Sequence, residues 1–169
     1  MKRRTLLAAA AAWLTGCAAP PPPPPKRGRL TGADIYALDP AVLRAAVLTD
    51  ERVIIPGVLI ELRAVAHEGQ YLIRLQRRAP ADARLPRALR GQAWQVFALN
   101  ADSASTLDTV RQMLMSRGVE ADAVRVTVSA PPGLVPADLL GAVPLRIDLL
   151  VDNRTGWFTL VESTLDLRP

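Results

Sequence analysis

Residues 142–167 read AVPLRIDLLVDNRTGWFTLVESTLDL. Val143, Leu145, Ile147, Leu149 and Val151 recur at every second position. That period matches a β-strand, whose side chains alternate between two faces, and not a helix. Asn153-Arg154-Thr155-Gly156 supplies turn residues, and Trp157 to Leu167 returns as a second strand. The chain therefore ends in an antiparallel hairpin with one apolar face, and the rest of the domain has to cover that face.

The same alternation appears upstream. Val53 to Val65 is rich in aliphatic and β-branched residues, with Pro56-Gly57 as a bulge or break. Within it Val58, Ile60 and Leu62 alternate with Leu59, Glu61 and Arg63. His67-Glu68-Gly69 reads as a hairpin turn, with Gly69 free to take positive φ, and Tyr71, Ile73 and Leu75 mark the inner face of the next strand. Ala93 to Leu99 is a short aromatic strand, and Val124 to Val128 alternates with Arg125 and Thr127. Two helices are expected. Asp39-Pro40 reads as an N-cap and first helical proline, carrying a helix through Leu43, Ala46 and Val47. Ser105 with Asp108 gives a capping signal for a second helix with Leu107, Val110 and Leu114 as its buried stripe and Gly118 as its stop. About six mostly antiparallel strands and two main helices make an α+β domain in two layers; a β-sandwich with peripheral helices is the alternative.

The domain runs over residues 30–169, long enough for one hydrophobic core. The chain's formal charge of +5 invites a nucleic-acid reading. Setting aside Lys2, Arg3 and Arg4 leaves 18 of the 21 basic residues against 16 acidic ones. Setting aside Lys26, Arg27 and Arg29 as well leaves 15 against 16 from Leu30 onward. The folded part is nearly neutral, so the electrostatic footprint of a nucleic-acid binder is missing and no nucleic-acid partner is expected. Cys17 is the chain's one cysteine, which rules out an intramolecular disulfide.

The amino-terminal end has its own grammar. Lys2, Arg3 and Arg4 precede an apolar run from Leu6 to Leu14, which is shorter than the roughly 20 residues that a membrane-spanning helix needs. A basic start, a short apolar middle and small residues at the end make a signal peptide. Its end, Leu14-Thr15-Gly16-Cys17, resembles the lipobox of bacterial lipoproteins. The resemblance covers residues 1–17. It implies cleavage between Gly16 and Cys17, a diacylglycerol on the Cys17 thiol and an N-acyl chain on the new amino group. It implies as well a location in the cell envelope, anchored to the membrane. Ala18 at the second mature position implies the outer membrane, facing the periplasm. Arg3-Arg4-Thr5-Leu6-Leu7 resembles the twin-arginine export signal too, and both export routes stay open. Each buried methylene contributes about 0.8 kcal/mol, so two or more acyl chains hold stably where one does not. Pro20 to Pro25 follow as a polyproline II rod, which at about 3.1 Å per residue spans about 19 Å. The division is thus a cleaved signal (1–16), a lipidated cysteine and basic proline-rich linker (17–29) and one globular domain (30–169).

The search for chemistry in the domain returns little. His67 is the one histidine and sits in an expected turn. It has no second histidine four residues away, and with no thiol in the domain neither a metal nor a dissociable cofactor is expected. The chain carries no Gly-x-Ser-x-Gly elbow and no phosphate loop. Glu61, Asp148 and Glu162 are the carboxylates considered for an acid/base pair, but strand carboxylates ordinarily face solvent. A non-catalytic module is expected, with a hydrolase the weakest reading.

Two features suit binding. One is the arginine-rich run Arg74, Arg77, Arg78, Arg84, Arg87 and Arg90, opposed by Asp82. Guanidinium forks of this kind match phosphate or carboxylate, although a solvated loop has the same composition. The other is Trp157-Phe158 beside the hairpin turn, where consecutive residues face opposite sides and one of them can become an interface anchor. The expected role is an accessory or assembly lipoprotein that binds another envelope protein. The alternative is a carrier or sensor for a lipid or other apolar ligand.

Overall fold

The computed structural model describes residues 26–65, 69–79, 85–139 and 141–166. The signal peptide, Cys17, the proline rod, His67 and Arg84 lie outside them.

Seven strands of six or more residues form one curled sheet, a half-barrel: β2 (Arg44–Asp50), β3 (Gly57–Ala64), β4 (Gln70–Arg78), β5 (Gln92–Ala98), β6 (Val124–Ser129), β7 (Ala142–Leu150) and β8 (Trp157–Asp166). A two-residue strand, β1 (Lys26–Arg27), adds itself to the edge. The spatial order is β1-β8-β7-β2-β5-β4-β3-β6. All pairings are antiparallel except β1 with β8, which is parallel. Two helices complete the domain: α1 (Gly32–Ala37) and α2 (Ala101–Ser116). The class is α+β with β predominating. The strand count is seven rather than about six, and the single continuous sheet replaces the sandwich alternative.

The terminal hairpin forms as its period requires. Leu150 pairs with Trp157, and a register shift near Ile147 and Asp148 leaves Leu160 as an extra residue. Such a bulge bends the strand and raises its twist, which suits a curling sheet. Gly156 takes φ +71°, a left-handed conformation that side chains resist. The inner face collects Leu145, Ile147 and Leu149 from β7, Ala45 and Val47 from β2, Phe97 from β5, Ile73 and Leu75 from β4, and Val58, Ile60 and Leu62 from β3. Leu107, Val110 and Leu114 of α2 are buried in the same core. Each of these leucine, isoleucine, valine and phenylalanine side chains contributes about 1.5–3 kcal/mol when fully buried.

The expected helix from Asp39 through Val47 is corrected. Asp39 closes a turn by accepting from the Ala41 amide at 2.9 Å, and Arg44 to Asp50 is a central strand between β7 and β5. Ala45, Ala46 and Val47 are all buried, because this strand is covered on both faces. A strand of that kind reads as an unbroken apolar run and loses its period of two. The helix lies one segment earlier. Thr31 accepts from the Asp34 amide and Asp34 accepts from the Thr31 amide, a reciprocal capping box. The start of α2 also shifts: Asn100, not Ser105, caps it by accepting from the Ser103 amide at 2.7 Å.

Residues 28–38 run between the two edges of the half-barrel. Gly28 donates to Thr159 O of β8 at 2.8 Å. At the other edge Gly32 packs so closely that a Cβ would collide with Ala121 O and sit 2.8 Å from Val124 Cβ. Leu30, Ile35 and Leu38 are buried along the way. Arg111 of α2 then donates to the carbonyls of Tyr36 and Leu38 at 2.6 and 2.9 Å, satisfying groups that a helix end leaves open. This strap closes the seam that the curled sheet leaves.

Candidate functional site

Cross-strand partners in a ladder point to the same face, so the register sorts every candidate. Phe158 stands opposite Leu149 on the inner face and packs against the core, with Gly28 fitted against its ring. Trp157 stands opposite Leu150 on the outer face and is half-buried. The arginine run does not converge. Arg74 and Arg78 share the outer face of β4, Arg77 takes the inner face at the strand's end, and Arg87 and Arg90 belong to the loop before β5. All five are exposed, and none forms an ion pair among the described residues.

The carboxylates divide as well. Glu61 holds Arg63 at 2.8 Å on β3. Asp148 is fully buried on the outer face of β7, where it accepts from both Nε and an Nη of Arg146 at 2.8 and 2.9 Å. Ala46, directly opposite, leaves the room it occupies. The Arg146 guanidinium reaches across Leu48 of β2 to stack over Trp94 of β5, 5.6 Å from the ring centre. The bidentate Asp148 contact, the larger influence, raises the Arg146 pKa, and Glu162 of β8 adds to it through its charge. Three strands, β2, β5 and β4, lie between Asp148 on β7 and Glu61 on β3, so these two form no acid/base pair. With both oxygens committed to Arg146 on the same strand, Asp148 holds the guanidinium in place over Trp94. The sequence shows Arg146 and Asp148 two apart on one face, but nothing in it places Trp94 beneath them.

Two grooves open among the described residues. One of about 400 Å³ lies between the turn after α1 and the start of α2, with Asp39, Arg44, Asn100 and Asp108 in its wall. The larger, of about 970 Å³, runs beside β6 and is lined by Arg29, Thr31, Asp122, Arg125, Val126 and Thr127 among others. Its chemistry is mixed, with charged and hydroxyl groups beside valine. β6 is the outermost strand on that side of the sheet. It has no proline, and its register with β3 runs without a shift from Ala64–Val124 to Leu59–Ser129. The strap packs against this edge at Val124, through Gly32, and leaves Val126 to Ser129 without a neighbouring strand on that side; such a stretch is a template for pairing with another chain. Sequence reading places β6 correctly but cannot show that it is an edge, since strand order is a tertiary property.

Among the described residues no group of three or more histidine, cysteine or carboxylate side chains is placed to hold a metal, and no helix is long and apolar enough to cross a membrane. Comparison of the chain with protein-family models, with characterised proteins and with solved structures finds no match.

Proposed function

We propose that this chain is a membrane-anchored lipoprotein of the cell envelope, held by lipid on Cys17, whose domain serves a non-catalytic accessory or assembly role by binding another protein. The observation that carries the reading is the open β6 edge with a groove along it, a surface suited to adding another chain's strand by main-chain hydrogen bonds. Two further features support it. The carboxylates Glu61 and Asp148 are committed to arginines. The larger groove sets Arg29, Thr31, Asp122, Arg125 and Thr127 among its apolar residues, where a lipid tail would call for a continuous apolar wall. The lipobox resemblance supplies the anchor, and Ala18 points to the outer membrane with the domain in the periplasm.

Crosslinking of the acylated protein in native membranes, followed by mass spectrometry of proteins and lipids, tests this reading, with a Cys17→Ser chain as the unanchored control. A stoichiometric protein partner and loss of membrane association in Cys17→Ser are the expected results. A bound lipid with no protein partner would overturn the reading in favour of an apolar-ligand carrier.

A further inference from the structure

We propose that β6 takes up an extended segment of a partner protein in which acidic and apolar residues alternate, added to the sheet as a further strand. This rests on the protein-binding reading above and names the chemistry of the partner.

The backbone comes first. Val65 donates to Ala123 O at 2.9 Å, immediately beyond the Ala64–Val124 pair. Residues in an antiparallel ladder alternate between pairs that exchange hydrogen bonds and pairs that do not. The exchanging pairs are therefore Arg63–Arg125, Glu61–Thr127 and Leu59–Ser129. Val124, Val126 and Val128 turn their amides and carbonyls away from β3. The Val124 amide is used by Ala121 O, whereas those groups of Val126 and Val128 have no partner among the described residues. A strand added to this edge would satisfy them.

Side chains then select the partner. Val126 and Val128 are half-buried against the core, while Arg125, Thr127 and Ser129 are exposed on the outer face. A continuing strand must carry apolar residues on the valine side and hydrophilic ones on the arginine side. Arg125 lies directly opposite Arg63, a like-charge pair that costs stability in a ladder. Arg63 is offset by Glu61, but Arg125 has no ion pair among the described residues. Arg29 lines the same groove, whose one acidic residue among those described is Asp122. An aspartate or glutamate beside Arg125 would relieve that charge. A second copy of this chain would not. Two β6 strands paired about a twofold axis, core face to core face, set Arg125 opposite Thr127 or Ser129. They would gather Arg63 and Arg125 of both copies on one continuous face.

The full chain carrying Cys17→Ser, probed with a labelled ten-residue peptide of alternating Glu and Val and its Lys/Val counterpart, tests the proposal. The Glu/Val peptide is expected to bind at least tenfold more tightly and to protect the Val126 and Val128 amides from hydrogen exchange. Val126→Pro removes an outward amide and no bond to β3, and it should weaken binding at least tenfold with the thermal midpoint little changed. Arg125→Glu should reverse the peptide preference, which keeps the test decisive if Val126→Pro does not fold. Equal binding of both peptides, or protection confined to other strands, would overturn the proposal. So would self-association that Val126→Pro abolishes. A membrane partner whose crosslinking survives both substitutions would sink this edge assignment while leaving the protein-binding role intact; absence of any protein partner would remove both.

Discussion

At the scale of single residues, the buried Arg146–Asp148 pair is the most consequential contact on the outer face. Asp148 has no exposure to solvent, while 23% of the Arg146 side chain remains accessible. Removing one partner of such a pair leaves a desolvated charge, whereas replacing both with apolar groups of similar size can be nearly neutral. Asp148→Ala should therefore destabilise the domain by about 3 kcal/mol. The double change Arg146→Met with Asp148→Leu should recover most of that loss. Urea denaturation of both variants, with their midpoints compared at an unchanged slope, checks it. A double variant as unstable as the single one would mean that the aspartate is held for another reason. Gln95 shows the same dependence on tertiary contacts. It is buried, accepting from the Ile55 amide at 3.1 Å and donating to Val53 O at 2.8 Å, and it ties a segment forty residues away to β5.

At the scale of elements, the β7–β8 hairpin depends on a residue just outside the four that mark its turn. Asp152 accepts from the Arg154 and Thr155 amides at 2.6 and 2.7 Å and from the Thr155 hydroxyl at 2.7 Å. The Thr155 amide, the largest contributor, holds the Asp152 carboxyl below its ordinary pKa. A folded-state pKa below the unfolded one stabilises the fold above the unfolded value, about 3.9 for aspartate, and that contribution is lost as pH falls through the folded value. Asp152→Ala should thus lower stability at neutral pH and flatten the acid side of the stability profile below about pH 4. Denaturation midpoints measured from pH 7 down to the acid limb in both chains decide this. Parallel profiles would assign the acid sensitivity elsewhere, with Asp50 beside Arg52 the next group to examine.

For the whole molecule, closure depends on the strap more than on the sheet. The half-barrel's edges are β8, with the two-residue β1 beside it, on one side and β6 on the other, and residues 28–38 connect them. The strap buries Leu30, Ile35 and Leu38 and is clamped by Arg111. Deleting residues 26–38 should expose the core and convert the domain to a species that binds hydrophobic dyes and lacks a cooperative thermal transition. A truncated chain that melts as sharply as the intact one would show that the sheet closes unaided. Because Lys26 pairs beside Phe158, any tether upstream of it leaves the domain at the Trp157 end of β8. In the lipoprotein proposed above, anchor and seam would therefore follow one another in the chain.

Local periodicity determined much of this protein. The terminal hairpin, β3 with β4, β6 and the buried stripe of α2 were all legible, since each has one wet and one dry face that writes its period into the residues. The central strand β2 was not: burial on both faces erased the period, and an Asp-Pro pair suggested a helix in its place. The capping box at Thr31 and Asp34 was present in the residues, yet a six-residue helix carries too little pattern to stand out. The resemblance of Leu14 to Cys17 to a lipobox also rests on a local run of residues, because a processing signal is read as an extended peptide. The tertiary structure alone decided which strands became edges, that Asp148 met an arginine stacked on Trp94, and that the arginine run was scattered over two faces and a loop. Those outcomes depend on strand order and sheet curl, which are set by packing between residues far apart in the chain and leave no local mark.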